Sequence, residues 1–151
     1  MIIVAFLQNM WVRNPAKVQR MFDSDPTGEL RLRLIEYALF AGCLTGRRLK
    51  KGLGEEWCNS IIWEEASPIV DNDYKRYHPP DEAHITNVLA QHQPNLVLCF
   101  TKRGEPTVKK LCKCPVIGMP HPAARGKAPI TALEQTRKQL EILLAKQAPP
   151  N

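Results

Sequence analysis

Three places in this sequence bring together residue types that can do chemistry. In VIGMPHPAARG, residues 116–126, an apolar run stops on His121 and a small, kinked, basic loop follows. After IIVAFL, residues 2–7, the chain turns polar at Gln8 and Asn9, with Trp11 close behind. After SIIW, residues 60–63, stand two adjacent carboxylates, Glu64 and Glu65. A histidine held at a strand end can donate a hydrogen bond to an oxygen that gains charge during a reaction. Asn9 cannot act as a general base, yet its amide can orient a water molecule. An ionised glutamate only accepts. Successive residues of a strand face opposite ways, so one of the two glutamates is expected to reach a shared pocket, and Glu65 is the choice. Each group also has a plainer reading: a satisfied loop histidine, turn-forming asparagines at 9 and 14, a solvated pair of glutamates. Trp57 and Trp63 read as core, and Trp11 as the tryptophan that could stack on a ligand. His78 and His84 read as surface residues.

The elements that must position these residues alternate along the chain. IIVAFL is β-branched and aromatic throughout, as suits a strand buried on both faces. AKVQRMF after Asn14-Pro15 predicts a short helix, and GELRLRLIEYALF a second one with Leu30, Leu34, Tyr37 and Ala38 on one stripe. Gly42 ends it, and Thr45-Gly46 opens a third helix through the basic run. SIIW predicts the second strand. His78-Pro79-Pro80-Asp81 precedes the helix EAHITNVLAQH, whose Ile85, Val88 and Leu89 form one stripe. NLVLCF is the third strand, EPTVKKL a short helix, PVIGM the fourth strand. PITALEQTRKQLEILLAKQ closes the domain with Leu133, Leu140, Leu143 and Leu144 inward, ahead of a frayed tail at 148–151. The expected fold is α/β, a three-layer α/β/α domain over residues 1–147 around a central, mostly parallel, four-stranded sheet. Ligands of such sheets gather beyond the carboxyl ends of the strands. That rule puts Gln8 to Trp11, Glu64 and Glu65, Thr101 to Arg103, and Pro120 to Gly126 on one rim.

Length and charge narrow the function classes. The 151 residues fit one domain. Twenty-one Lys and Arg against 15 Asp and Glu give a net charge of +6, which attracts polyanions. The cations are clustered: Arg47, Arg48, Lys50 and Lys51, then Lys102 and Arg103, then Lys109, Lys110 and Lys113, then Arg125 and Lys127. Gathered on one face they make a phosphate-binding surface. No Gly-rich dinucleotide loop and no P-loop is present. Five cysteines in apolar context read as reduced core thiols, so neither disulfide nor metal is expected, and no cofactor. MIIVAFL lacks a basic leader and a small-residue cleavage site, so a first strand is expected there rather than a signal peptide. The expected setting is cytoplasmic and monomeric, with no membrane partner.

The two rim motifs, Leu7-Gln8-Asn9-Met10-Trp11 after the first strand and His121-Pro122-Ala123-Ala124-Arg125-Gly126 after the last, resemble the strand-end motifs GQDPYH and HPSPLS of the uracil-DNA glycosylase superfamily. The resemblance spans most of the chain and implies that fold and a DNA partner, single- or double-stranded. It implies that Gln8 contacts an everted base and that Asn9 orients the attacking water. It also implies that His121 supports the departing pyrimidine at O2, and that Arg125 wedges into the gap. Arg47, Arg48, Lys50, Lys102, Arg103, Lys127 and the Ala123 backbone would meet phosphates. Met10, Trp11 and Ala123 depart from the family pattern, the last replacing a phosphate-contacting serine and leaving only a backbone N–H.

Cleaving an N-glycosidic bond makes an oxocarbenium-like sugar and an anionic base, which calls for a placed water and a donor to the base. Reaching that bond requires extruding the nucleotide. Where uracil-selective members carry an asparagine, this chain has Glu64-Glu65. An ionised carboxylate accepts from the exocyclic N4–H₂ of cytosine and repels the O4 of uracil. A modified cytosine, such as phage DNA can contain, is therefore the expected base, since removing plain cytosine would destroy the host genome. No lysine lies in either motif to form a Schiff base, so strand cleavage is not expected. The rival readings are a uracil or mismatch glycosylase and a non-catalytic DNA-binding module.

Overall fold

The computed structural model describes residues 1–147, and the tail expected to fray at 148–151 lies outside them. Apolar side chains alternate to both sides of a strand, so an unbroken apolar run needs cover on both faces. IIVAFL obeys: β1 (Ile3–Leu7) is buried along its whole length at the middle of a four-stranded parallel sheet. The order is β3 (Ile62–Glu65), β1, β5 (Leu96–Cys99), β6 (Val116–Gly118). Ile3, Ala5 and Leu7 join one core cluster, while Val4 and Phe6 join another on the opposite face.

Helices cover the two faces unequally. Over the first lie α2 (Glu29–Phe40), α3 (Leu44–Leu53) and α7 (Ala128–Gln147), contributing Ile35, Leu39, Leu49, Leu53, Leu133 and Leu140. The closeness of α3 to α7 needs Gly52, where an added Cβ would lie 2.4 Å from that of Leu133. Over the second lie α5 (Glu82–His92) and α6 (Glu105–Leu111), with Ile85, Val88 and Val108. The result is a parallel α/β sheet with helices on both sides, as the alternating elements predict. Local signals set several helix starts. Asn14 accepts from the Lys17 N–H at 3.3 Å ahead of α1 (Pro15–Asp23), and Asp81 accepts from the His84 N–H at 2.8 Å ahead of α5.

Several expectations need correction. The buried stripe of α2 is Ile35 and Leu39, with Leu34 half-buried; Leu30, Tyr37 and Ala38 are exposed. Apolar residues are spread round this helix between four charged ones, so spacing permits more than one stripe, and packing against β3 selects among them. In α7, Leu133 and Leu140 are buried but Leu144 is exposed. The second strand carries both glutamates within it rather than ending before them. A short helix, α4 (Glu55–Ser60), and a separate parallel pair, β2 (Met10–Trp11) with β4 (Val70–Asp71), were not anticipated. Among the described residues no helix is long and apolar enough to cross a membrane.

Candidate functional site

Parallel pairing brings the carboxyl ends of the strands level. Leu7 pairs with Glu65, and the sheet continues past both strands: Ala66 N–H donates to Leu7 O at 3.0 Å and Ser67 N–H to Gln8 O at 2.9 Å. On the other side Met119 N–H donates to Cys99 O at 2.8 Å, which sets where the chain leaves β6. These bonds hold the backbone after β1 and place Gln8, Asn9, Glu65 and His121 around one cleft of about 430 Å³, a size within the range of about 300–1,000 Å³ common for ligand sites. Its apolar wall is Leu7, Ile35 and Leu39, and α3 begins at its edge. Asn9 Nδ2 donates to Met10 O at 3.4 Å, which leaves Oδ1 as an acceptor. Trp11, about half exposed, also lines the cleft and is tethered through Nε1 to Asn72 O.

The two glutamates part company. Glu64 does not face the cleft: its Oε1 lies 2.8 Å from Arg31 Nε and 3.6 Å from His84 Nε2. Burial opposes its ionisation, but the His84 hydrogen bond and the Arg31 charge outweigh that and hold its carboxyl below the ordinary value. Glu64 is therefore a buried ion-pair member outside the lining of this cleft. His84, read from sequence as a surface residue, is half-buried in this network and also meets Glu65 O at 3.0 Å. His78 is likewise half-buried, 2.6 Å from Asp71 Oδ2.

Glu65 is buried and its Oε2 has no hydrogen-bond partner. Burial first, and the charge of Glu64 second, push its pKa up to about 8. The sequence reading of an ionised acceptor is corrected accordingly. At pH 7 this side chain is a neutral carboxylic acid that both donates and accepts.

His121 is half-buried and accepts from the Ala123 N–H through Nδ1 at 3.1 Å. Burial lowers its pKa, so the ring is neutral near pH 7. With Nδ1 accepting, the proton resides on Nε2, which becomes a donor. The Ala123 N–H expected on a phosphate is engaged by this ring instead. Arg48 Nη1 donates to Pro122 O at 2.7 Å and to Ala124 O at 2.8 Å, so it braces the loop. Arg47 bonds Gly42 O at 2.7 Å and Lys50 sits 5.5 Å over the Phe40 ring. Arg125 and Lys127 are exposed on the same loop as His121.

A second cleft of about 530 Å³ shares Gln8 and His121 with the first. Thr101, Lys102 and Arg103 line one side, as the rim rule expects, and Tyr74, Lys75, Arg76 and Tyr77 line the other. Sequence reasoning missed these last four. The pair of basic residues flanked by tyrosines in YKRY was the available signal. Cys112 and Cys114 lie beyond α6, their sulfurs 3.0 Å apart, and among the described residues no cluster of three or more His, Cys, Asp or Glu is placed to hold a metal. No protein-family model and no curated protein matches this chain.

Proposed function

We propose that the protein is a monofunctional DNA glycosylase that everts a pyrimidine, a modified cytosine or alternatively uracil, and hydrolyses its N-glycosidic bond. One observation carries the reading: Asn9, Glu65 and His121, from the ends of three different strands, line a single cleft. The likeness of the two strand-end motifs to those of the uracil-DNA glycosylase superfamily supports it, since both motifs belong to that rim.

In this reading the base enters the cleft beside Trp11. Glu65, neutral, donates to cytosine N3 and accepts from N4–H₂. The C1′–N1 bond breaks with its electron pair going to the base, and the charge that gathers at O2 meets the Nε2–H of His121. Asn9 Oδ1 orients a water whose oxygen bonds C1′. The proton it loses passes to the departing base or to solvent. The modification itself distinguishes the target from the host's own cytosine, which fits a role against phage DNA.

A second base is favoured by the protonation of Glu65. A neutral carboxyl can equally donate to uracil O4 and accept from N3–H, so uracil excision is the alternative. The deciding experiment incubates the protein with genomic DNAs that include phage DNAs with modified cytosines, alongside uracil-containing DNA, and measures abasic sites and released bases. Release from modified-cytosine DNA, abolished in Asn9→Ala and His121→Ala, is the expected result. Release from uracil DNA alone selects the alternative. DNA binding with no base released from any substrate rejects catalysis.

A further inference from the structure

We propose that the cleft between the turns at 72–77 and 101–104 binds an unpaired DNA strand, stacking bases on Tyr74 and Tyr77 and holding phosphates with Lys75, Lys102 and Arg103. The inference rests on the glycosylase reading only for its place in that reaction: the strand would run past Gln8 and His121, the two residues this groove shares with the base cleft.

Its chemistry is specific. Four cations, Lys75, Arg76, Lys102 and Arg103, line the groove, and among the described residues no carboxylate does. Tyr74 is 77% exposed and Tyr77 37%, so both leave aromatic surface open to solvent. The Arg103 guanidinium lies 4.6 Å from the Tyr77 ring centre, so charge and stacking surface meet across the groove.

Both walls are braced. Asp71 Oδ1 accepts from the N–H groups of Asn72 at 2.7 Å and Asp73 at 3.1 Å, and Asp71 Oδ2 lies 3.3 Å from Arg76 Nη1. Asp73 Oδ1 accepts from the Lys75 N–H at 2.9 Å. Opposite, the Gly104 N–H donates to Thr101 Oγ1 at 3.2 Å. A cationic track fits any phosphate backbone, but exposed rings beside it fit one whose bases are unstacked and free to lie on them. A duplex keeps its base faces inside the stack and offers nothing to Tyr74.

The test needs no excisable base. A fluorescent 15-nucleotide strand of ordinary bases is titrated with the full chain, beside a duplex of the same length and an RNA strand of the same sequence. The single DNA strand is expected to bind tightest. Tyr74→Ala and Tyr77→Ala should each weaken it by about 5- to 150-fold, while Tyr77→Phe restores binding. Lys102→Ala and Arg103→Ala should each reduce the slope of log affinity against log salt by about 0.7. Tyr37→Ala, on the exposed face of α2, should change nothing. Equal binding by the Tyr74 and Tyr77 variants, or tighter binding of duplex or RNA, overturns the proposal. Groove binding without base release leaves this inference standing and rejects the catalytic one. Base release with tyrosine variants that bind normally does the reverse.

Discussion

Arg48 on α3 is hydrogen-bonded to Pro122, 74 residues away in sequence, with Nη1 donating to its carbonyl at 2.7 Å. A cation from the basic run after the second helix thus anchors the loop that carries His121. The bond ties the His121 loop to α3, and in the proposed reaction this matters because small displacements of a catalytic group are expensive in rate.

Replacing Arg48 by Ala should therefore act on the loop at a distance from the chemistry. It removes the two charge-assisted bonds to Pro122 and Ala124, each worth about 1.5–3 kcal/mol. We expect abasic-site formation under single-turnover conditions to fall about 10- to 100-fold. DNA affinity should change far less. Affinity falling in step with the rate would mean that Arg48 meets phosphate after all.

Removing the donor itself is more severe. His121→Ala should lower the single-turnover rate by about 100- to 1,000-fold, the usual cost of one donor to a developing anion. Asn9→Ala should lower it as well, while both variants bind DNA like the parent. Full activity in both would show that the chemistry lies elsewhere.

The protonation of Glu65 gives a pH signature. Its pKa is pushed up to about 8, so the neutral form prevails below that pH and the ionised form above it. Base release should fall as pH rises through about 8, because the donor to the base edge is lost. Glu65→Gln keeps a donor and an acceptor at every pH, so its profile should lose this alkaline limb. A variant profile that still falls at the same pH rules Glu65 out as the cause.

The same group links folding to pH. Its folded pKa of about 8 lies above an unfolded value of about 4.3. The native state therefore holds a proton that the unfolded chain has released between those two values. Stability from this group is full below the unfolded pKa and declines as pH rises to about 8. Between pH 5 and pH 8 the parent should lose on the order of 3 kcal/mol more than Glu65→Gln in urea denaturation. Parallel stability curves for the two proteins would show that Glu65 is ionised in the native state.

Much of the architecture is decided by local residue order. The apolar runs IIVAFL and NLVLCF require cover on both faces, so they become central strands of a parallel sheet. EAHITNVLAQH and EPTVKKL form helices over those very residues because the first opens on the Asp81 cap and the second carries Pro106 in its first turn. The rim follows too, since parallel strands bring their carboxyl ends, and hence Gln8, Asn9 and His121, to one edge. Tertiary packing decided the rest, because the groups concerned meet partners remote in sequence. Arg31 and His84 claim Glu64, and their choice leaves Glu65 facing the cleft. Burial and the neighbouring Glu64 charge then set its protonation, which no residue type carries by itself. Arg48 becomes a brace, and Tyr74 and Tyr77 become a groove wall, through contacts that only the folded chain creates.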